Sequence, residues 1–295
     1  MSPNDSGRAV EKQLVCVVVP VYKKEMSRFE VASLRQCKRI LGNHPIILIV
    51  PRGLTLSDDI ACIANEIKEL NPACFKSIEA YNKMLLAPWF YRNFTNYEFM
   101  LIYQLDAYVF RDELKAWCQK GYDYLGGVWF KGYTKNPEQG FVEWVPGNGG
   151  LSLRKVDSCV KALTSRARAF GPSSLLKQLV RNLLRGRGLW IVELLVFPVK
   201  ILGFRNTVRW EAQNFAGYED VFFALHAPRM ISSFVVPSVE EAALFSWDRR
   251  PDYLFGKHQV LPFGCHAWFR EEPPYEANGS FWRNHIAGSW DVSCS

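Results

Sequence analysis

Apolar residues in this chain gather in continuous runs instead of alternating strictly with polar ones. Leu14-Val15-Cys16-Val17-Val18-Val19 is a β-branched run stopped by Pro20, and Pro45-Ile46-Ile47-Leu48-Ile49-Val50-Pro51 repeats the form. Runs of this kind suit strands covered on both faces, the condition of a parallel sheet. Helical spacing over residues 27–40 lies between them, so the chain opens as a β-α-β unit with a right-handed crossover. Helices are expected again over 57–70 and from 77 to about 93, and Phe99-Met100-Leu101-Ile102-Tyr103 supplies another strand. The pattern predicts an α/β fold with a Rossmann-like, mixed but mostly parallel sheet flanked by helices. Ligands of such sheets gather beyond the carboxyl ends of the strands, so the polar residues that follow the apolar runs are the candidates for chemistry.

One stretch departs from this pattern. Residues 175–185 are basic and amphipathic, and the apolar run over 189–202 is interrupted by Glu193, Pro198 and Lys200. The run is shorter than the roughly 20 residues a bilayer span requires. Residues 173–204 therefore read as a helical insertion, either lying on an anionic membrane surface through Lys177, Arg181, Arg185 and Arg187 or packing as a helical pair on the main body. Residues 1–13 are polar and contain no apolar signal-peptide core, so they are expected to form a disordered tail before one domain over 14–295 in a cytoplasmic protein. Pro273-Pro274 marks a tail whose last aromatic residues are expected to pack back on that domain.

Composition narrows the classes. At 295 residues with 48% hydrophobic and 22% charged, the chain has the apolar content for a substantial core and is no disordered tail. Lys plus Arg number 36 against 29 Asp plus Glu, and 36 − 29 = +7 suits a phosphate-bearing or anionic-surface partner. The excess is too small and dispersed for nucleic acid. The eight cysteines form no CxxC pair or close framework, which favours reduced, mostly buried thiols. No G-x-G-x-x-G follows the first strand and no Walker-A sequence occurs, which argues against dinucleotide oxidoreductases and P-loop NTPases.

Four constellations carry candidate chemistry. Gln104-Leu105-Asp106 follows an apolar strand, where a carboxylate is costly unless it caps a turn, pairs with an arginine or binds a cation. Gly147-Asn148-Gly149-Gly150-Leu151-Ser152-Leu153-Arg154 has three glycines in four positions, allowing either an ordinary turn or a close approach to a ligand; Arg154 is also a candidate ion-pair partner. Tyr218-Glu219-Asp220-Val221 places two acids at the opening of a short apolar helix, where capping accounts for one and a cleft carboxylate can act as a general base. Phe263-Gly264-Cys265-His266-Ala267-Trp268 boxes one histidine among aromatics, as a core residue or a ligand. Pro20-Val21-Tyr22 follows the first strand, and Tyr22 could stack on a base; Lys23, Lys24 and Arg52 are candidates for phosphate.

The order strand-Asp, Gly-Gly, Glu-Asp, His resembles the GT-A class of nucleotide-sugar glycosyltransferases, and looks most like an uncharacterised bacterial branch associated with surface-polysaccharide synthesis. Gln104 stands where the Asp-x-Asp motif of that class has its first acid. The resemblance implies a Mn²⁺ or Mg²⁺ ion held by Asp106 and His266. It implies a donor site made of Pro20, Val21, Tyr22, Gln104, Asp106, Asn148, Gly149 and Gly150. Asp220 is then the base and Glu219 the neighbour that binds acceptor or orients the site. The expected reaction is inverting transfer from a nucleotide-sugar donor, by default of this resemblance a UDP-sugar, to a saccharide or lipid-linked saccharide acceptor at the inner face of the cytoplasmic membrane. Two alternatives stay open: a noncatalytic saccharide-binding or scaffold protein on the same fold, and a nucleotidyltransferase, although residues 19–24 lack the glycine-rich loop the latter needs.

Overall fold

The computed structural model describes residues 12–131, 142–184, 190–273 and 275–286. Most of the expected tail, residues 1–11, lies outside this set, as do Pro274 and residues 287–295. Gln13 belongs to the fold: it opens the first strand, and its amide donates to Asn96 O at 2.9 Å.

Eleven strands are described: β1 (Gln13–Pro20), β2 (Ile46–Pro51), β3 (Glu66–Leu70), β4 (Tyr97–Tyr103), β5 (Tyr108–Val109), β6 (Tyr124–Leu125), β7 (Val128–Lys131), β8 (Val142–Pro146), β9 (Leu151–Lys155), β10 (Ser246–Trp247) and β11 (Gly264–Cys265). The main sheet has six strands in the order β3-β2-β1-β4-β9-β6. β3, β2, β1 and β4 run parallel, and β9 returns antiparallel beside β4 and β6. The sheet is thus mixed and mostly parallel, with helices on both faces; the apolar runs account for its parallel strands β1, β2 and β4. Alternate residues of β1 feed separate cores: Val15, Val17 and Val19 pack with Leu34, Cys37 and Leu41 of helix Arg28–Leu41, whereas Cys16 and Val18 pack with Phe90, Tyr91, Phe222 and Phe223. A third core surrounds Trp247, Trp268 and Trp282. The seven described cysteines are free thiols.

Local chemistry explains most boundaries. Helix Arg28–Leu41 starts at a capping box in which the Glu30 amide donates to Ser27 Oγ at 3.3 Å and the Ser27 amide donates to Glu30 Oε2 at 2.8 Å. The helix expected over 57–70 is confined to Asp58–Ala61, and its second half is β3. Glu66-Ile67-Lys68-Glu69-Leu70 has the composition of an exposed helix, but as an edge strand it gains the ladder to β2, and its charged residues blunt the edge. The helix expected from 77 to about 93 is two, Ile78–Leu85 and Pro88–Arg92, because Pro88 has no amide hydrogen to continue the first and opens the second at its N-terminus.

Residues 173–204 supply two helices, Pro172–Leu184 and Trp190–Ile201. Arg185 and Arg187 lie outside the described residues. Leu176, Val180, Leu184, Leu194 and Leu195 are exposed on this pair, as is Leu202 in the turn that follows it. Among the described residues no helix is long and apolar enough to cross a membrane. Toward the other end, Trp282 of helix Glu276–His285 is buried and stacks on Phe110 at 5.4 Å, so that aromatic packs on the body.

Candidate active site

The chain leaves β1 toward β2 on one side, and β4 lies on the other, so the strand order reverses between β1 and β4. Such a switch point opens a crevice beyond the carboxyl ends of the strands. β9 runs antiparallel, with Leu151 opposite Tyr103, so the glycine loop preceding β9 reaches the same edge as Gln104 and Asp106, which follow β4. A second register completes the cluster. β10 and β11 are parallel neighbours with Trp247 opposite Cys265, which sets the next residues, Asp248 and His266, side by side. β5 runs antiparallel to β11 with Tyr108 opposite Cys265, which brings Asp106 to the same end.

His266 is the centre of this cluster. Its Nε2 lies 3.0 Å from Asp106 Oδ1 and 3.2 Å from Gln104 Oε1, and its Nδ1 lies 2.8 Å from Asp248 Oδ1. Arg270 closes the other side of Asp106, with Nε 3.0 Å and Nη2 2.9 Å from Oδ2. Burial alone would push the imidazole down, but Asp106 and then Asp248 hold it up to about 10. Burial would likewise raise the Asp106 carboxyl, but His266 and Arg270 keep it well below the usual carboxylate range.

The glycine loop forms the next wall. Asn148 takes a left-handed conformation at φ 50°, and its Oδ1 accepts the amides of Gly150 and Leu151 at 3.1 and 3.3 Å. Its Nδ2 lies 3.2 Å from His266 Nδ1. A Cβ on Gly150 would come within 2.1 Å of the His266 ring, so only glycine admits the imidazole there. Gly149 faces the other way, and its amide donates to Asp220 Oδ2 at 2.9 Å.

Asp220 and Glu219 separate by role. Asp220 is part-buried, and its Oδ1 also accepts the Val221 amide at 2.8 Å. Burial, followed by the charge of Glu219, raises its carboxyl to about 7 against the pull of those amides and Arg154. Glu219 points inward instead: Arg154 Nη2 donates to its Oε1 at 2.8 Å, while Arg154 Nη1 donates to Tyr91 Oη at 2.9 Å. Its backbone amide donates to Asn82 Oδ1 at 2.8 Å. Glu219, expected to bind acceptor or orient the site, is thus buried beneath the loop with Arg154 as its ion-pair partner.

Two other left-handed residues border the cluster, Ala267 at φ 52° beside His266 and Arg250 at φ 50° two residues from Asp248. A non-glycine residue in this region is strained and persists only where its surroundings hold it. Asn278 does so for Ala267, its Nδ2 donating to Ala267 O at 3.1 Å and also to Asp248 O at 2.8 Å. Arg249 and Arg270 both lie over the Tyr275 ring, at 4.6 and 5.7 Å from its centroid.

The expected metal ligands Asp106 and His266 do meet, but the arrangement does not fit a divalent ion. Both ring nitrogens face carboxylates, and both Asp106 oxygens are occupied by His266 and Arg270. Asp106 and Asp248 sit on opposite nitrogens, and among the described residues no three His, Cys, Asp or Glu side chains are grouped to hold a cation.

Of the expected donor residues, Gln104, Asp106, Asn148, Gly149 and Gly150 converge on this cluster. Pro20 and Val21 are buried at the end of β1; Val21 is a core residue whose amide donates to Ile49 O at 3.0 Å, so its side chain is not offered to a ligand. Tyr22 is exposed, and Lys23 is engaged by Glu30 at 2.8 Å. Sequence reasoning missed Asp248 and Arg270. Asp248 carries a signal related to that of Asp106, an acid following a buried strand; Arg270 has no local signal, since its partner is 164 residues away.

A family described as a protein of unknown function, DUF5672, matches residues 64–266, and the chain belongs to that family. No curated protein matches the sequence. Among solved structures, the chain is similar to a glycosyltransferase involved in the glycosylation of the major capsid of PBCV-1, with TM-score 0.42 and 10% identity over 91% of this chain and 98% of that one. It is also similar to the mannosyltransferase Ktr4p from S. cerevisiae in complex with GDP, with TM-score 0.36 and 9% identity over 72% of this chain and 68% of that one.

Proposed function

We propose that this protein is a glycosyltransferase that moves a sugar from a nucleotide-sugar donor, with UDP-sugars the first to test, to a saccharide or lipid-linked saccharide acceptor. The observation that carries the reading is the loop Asn148-Gly149-Gly150, which touches Asp220 on one side and the His266 cluster on the other, at the carboxyl end of β4 beside the point where the strand order reverses. A carboxylate whose proton affinity is set near neutrality thus stands one loop away from an ion-paired cluster that contains His266 and Arg270, so a base and candidate phosphate-binding cations lie side by side, as a displacement at an anomeric carbon needs.

In this reading Asp220 takes the acceptor hydroxyl proton while that oxygen forms a bond to the anomeric carbon. The bond from that carbon to the donor phosphate breaks on the opposite face, so configuration inverts, and the diphosphate leaves with the electron pair. The two amides on Asp220 fix the direction of its oxygens through the step.

The same proposal sets the helices Pro172–Leu184 and Trp190–Ile201 against an anionic lipid surface, which would bring a lipid-linked acceptor to the crevice and the protein to the inner face of the cytoplasmic membrane. Support comes from the exposed stripe Leu176, Val180 and Leu184 with Lys177 and Arg181 adjoining it.

The test is release of nucleoside diphosphate from a panel of UDP- and GDP-sugars with oligosaccharide acceptors, by wild type and Asp220→Asn. Turnover by wild type that falls away in the variant, with nucleotide binding retained, is the expected result. A protein that neither binds a nucleotide nor consumes any nucleotide-sugar overturns the reading. The saccharide-binding alternative draws on Gln104 in place of an acid, and predicts sugar binding with no turnover in either protein.

A further inference from the structure

We propose that the chain grips the diphosphate of its donor through Arg270, braced by Asp106, in place of a divalent ion. This rests on the glycosyltransferase reading and names the group that meets the departing phosphates.

Three observations lead to it. First, Asp106, the carboxylate expected to carry a metal, has both oxygens engaged: Oδ1 by His266 Nε2 at 3.0 Å, Oδ2 by Arg270 Nε at 3.0 Å and Nη2 at 2.9 Å. A cation is already seated on the carboxylate, and it belongs to the chain.

Second, the guanidinium is presented outward. Nε and Nη2 are turned to Asp106, while Nη1 has Glu272 Oε1 at 3.7 Å, an interaction between exposed groups that contributes little. The Arg270 side chain is 44% exposed, whereas that of Asp106 is 10% exposed. An incoming phosphate therefore meets the arginine before it could meet the acid. A guanidinium has five donors in a planar fork, enough to keep Asp106 on one edge and take two phosphate oxygens on the other.

Third, the support is rigid. Arg270 lies over the Tyr275 ring at 5.7 Å and follows left-handed Ala267, whose carbonyl is held by Asn278. Asp106 is fixed in turn by His266, itself locked by Asp248 at 2.8 Å. Each polar partner in this chain holds the next, so the guanidinium plane is set before a ligand arrives, which lowers the entropy lost on binding.

The experiment is calorimetric titration of the full chain with UDP and GDP, once in EDTA and once in Mn²⁺, for wild type, Arg270→Ala, Arg270→Lys and Asp106→Asn, with the unfolding midpoint of each variant recorded. Wild type is expected to bind one of the nucleotides equally well in both buffers. Arg270→Ala should weaken binding in EDTA by about tenfold or more, and Arg270→Lys should recover part of it, because lysine keeps the charge and loses the fork. Binding that appears only with Mn²⁺, is abolished by Asp106→Asn and ignores Arg270→Ala overturns the proposal while leaving the glycosyltransferase reading in place. Turnover of a nucleotide-sugar that is abolished by EDTA does the same. Absence of nucleotide binding in either buffer, together with absence of nucleotide-sugar turnover, overturns both.

Discussion

Arg154 Nη2 donates to Glu219 Oε1 across 2.8 Å, and the two side chains are almost entirely shut off from solvent. The pair lies beneath the glycine loop: a Cβ on Gly149 would come within 2.5 Å of the same Glu219 oxygen. A buried pair earns little for the fold compared with apolar packing, but removing one partner strands a charge. Arg154→Met should therefore cost about 3–5 kcal/mol in urea unfolding. Arg154→Met with Glu219→Leu should recover part of that loss, because the stranded carboxylate is gone. Unchanged unfolding in Arg154→Met would show that the pair does not hold the loop.

Asp220 supplies a pH dependence with a definite sign. Its carboxyl is raised to about 7 by burial and by Glu219, so its charged, proton-accepting form fills as pH rises through that value. Transfer should climb across the same range and level off above it. Asp220→Asn should flatten the profile and lower the rate by about 10²–10⁴-fold, the usual contribution of a general base. Stability moves the other way. A carboxyl raised on folding stabilises the native state fully below the unfolded value of about 3.9, and that contribution is lost as pH rises through the folded one. A rate plateau reached well below neutrality would assign the base elsewhere.

What local pattern reveals and what it hides divide along physical lines. β1, β2 and β4 are legible because burial on both faces demands unbroken apolar runs. β3 is not: an edge strand faces solvent, and Glu-Ile-Lys-Glu-Leu suits a helix as well until β2 supplies its ladder. Asp106, the glycines, Asp220 and His266 stand out because an acid after a buried strand, a glycine cluster and acids at a helix start are each unusual locally. Arg270 is unremarkable in sequence and becomes a site residue only because the β5 to β11 register returns its segment to Asp106. Glu219 shows the other half: its position marks it as binding acceptor or orienting the site, and its burial in an ion pair is visible only through its partner Arg154, 65 residues away.

Gly150 tests the contact between loop and histidine. A methyl group there would start 2.1 Å from His266 Nε2, with the ring buried and held on both nitrogens, so the ring or the loop must move. Gly150→Ala should destabilise by about 1–3 kcal/mol, the range for overpacking a tight site, and should weaken nucleotide binding. Gly171→Ala is the control, since a Cβ there meets nothing within 4 Å. Equal melting and binding in the two variants would separate the loop from the site.

The helical pair makes the last prediction. Leu176, Val180 and Leu184 recur every four residues on helix Pro172–Leu184, and Leu184 is 81% exposed. Leu195 on Trp190–Ile201 is 71% exposed, so large apolar side chains face solvent on both helices. Lys177 and Arg181 adjoin the first stripe, and each basic residue near an anionic surface is worth about 1 kcal/mol there. The protein should therefore co-sediment with vesicles containing phosphatidylglycerol and much less with phosphatidylcholine alone. Lys177→Gln with Arg181→Gln should weaken binding and flatten its salt dependence. Leu176→Ser, Val180→Ser and Leu184→Ser combined should release the protein with little change in melting, because those side chains are not part of the three cores. Co-sedimentation of that triple variant at the wild-type level would mean that these helices are not the membrane contact.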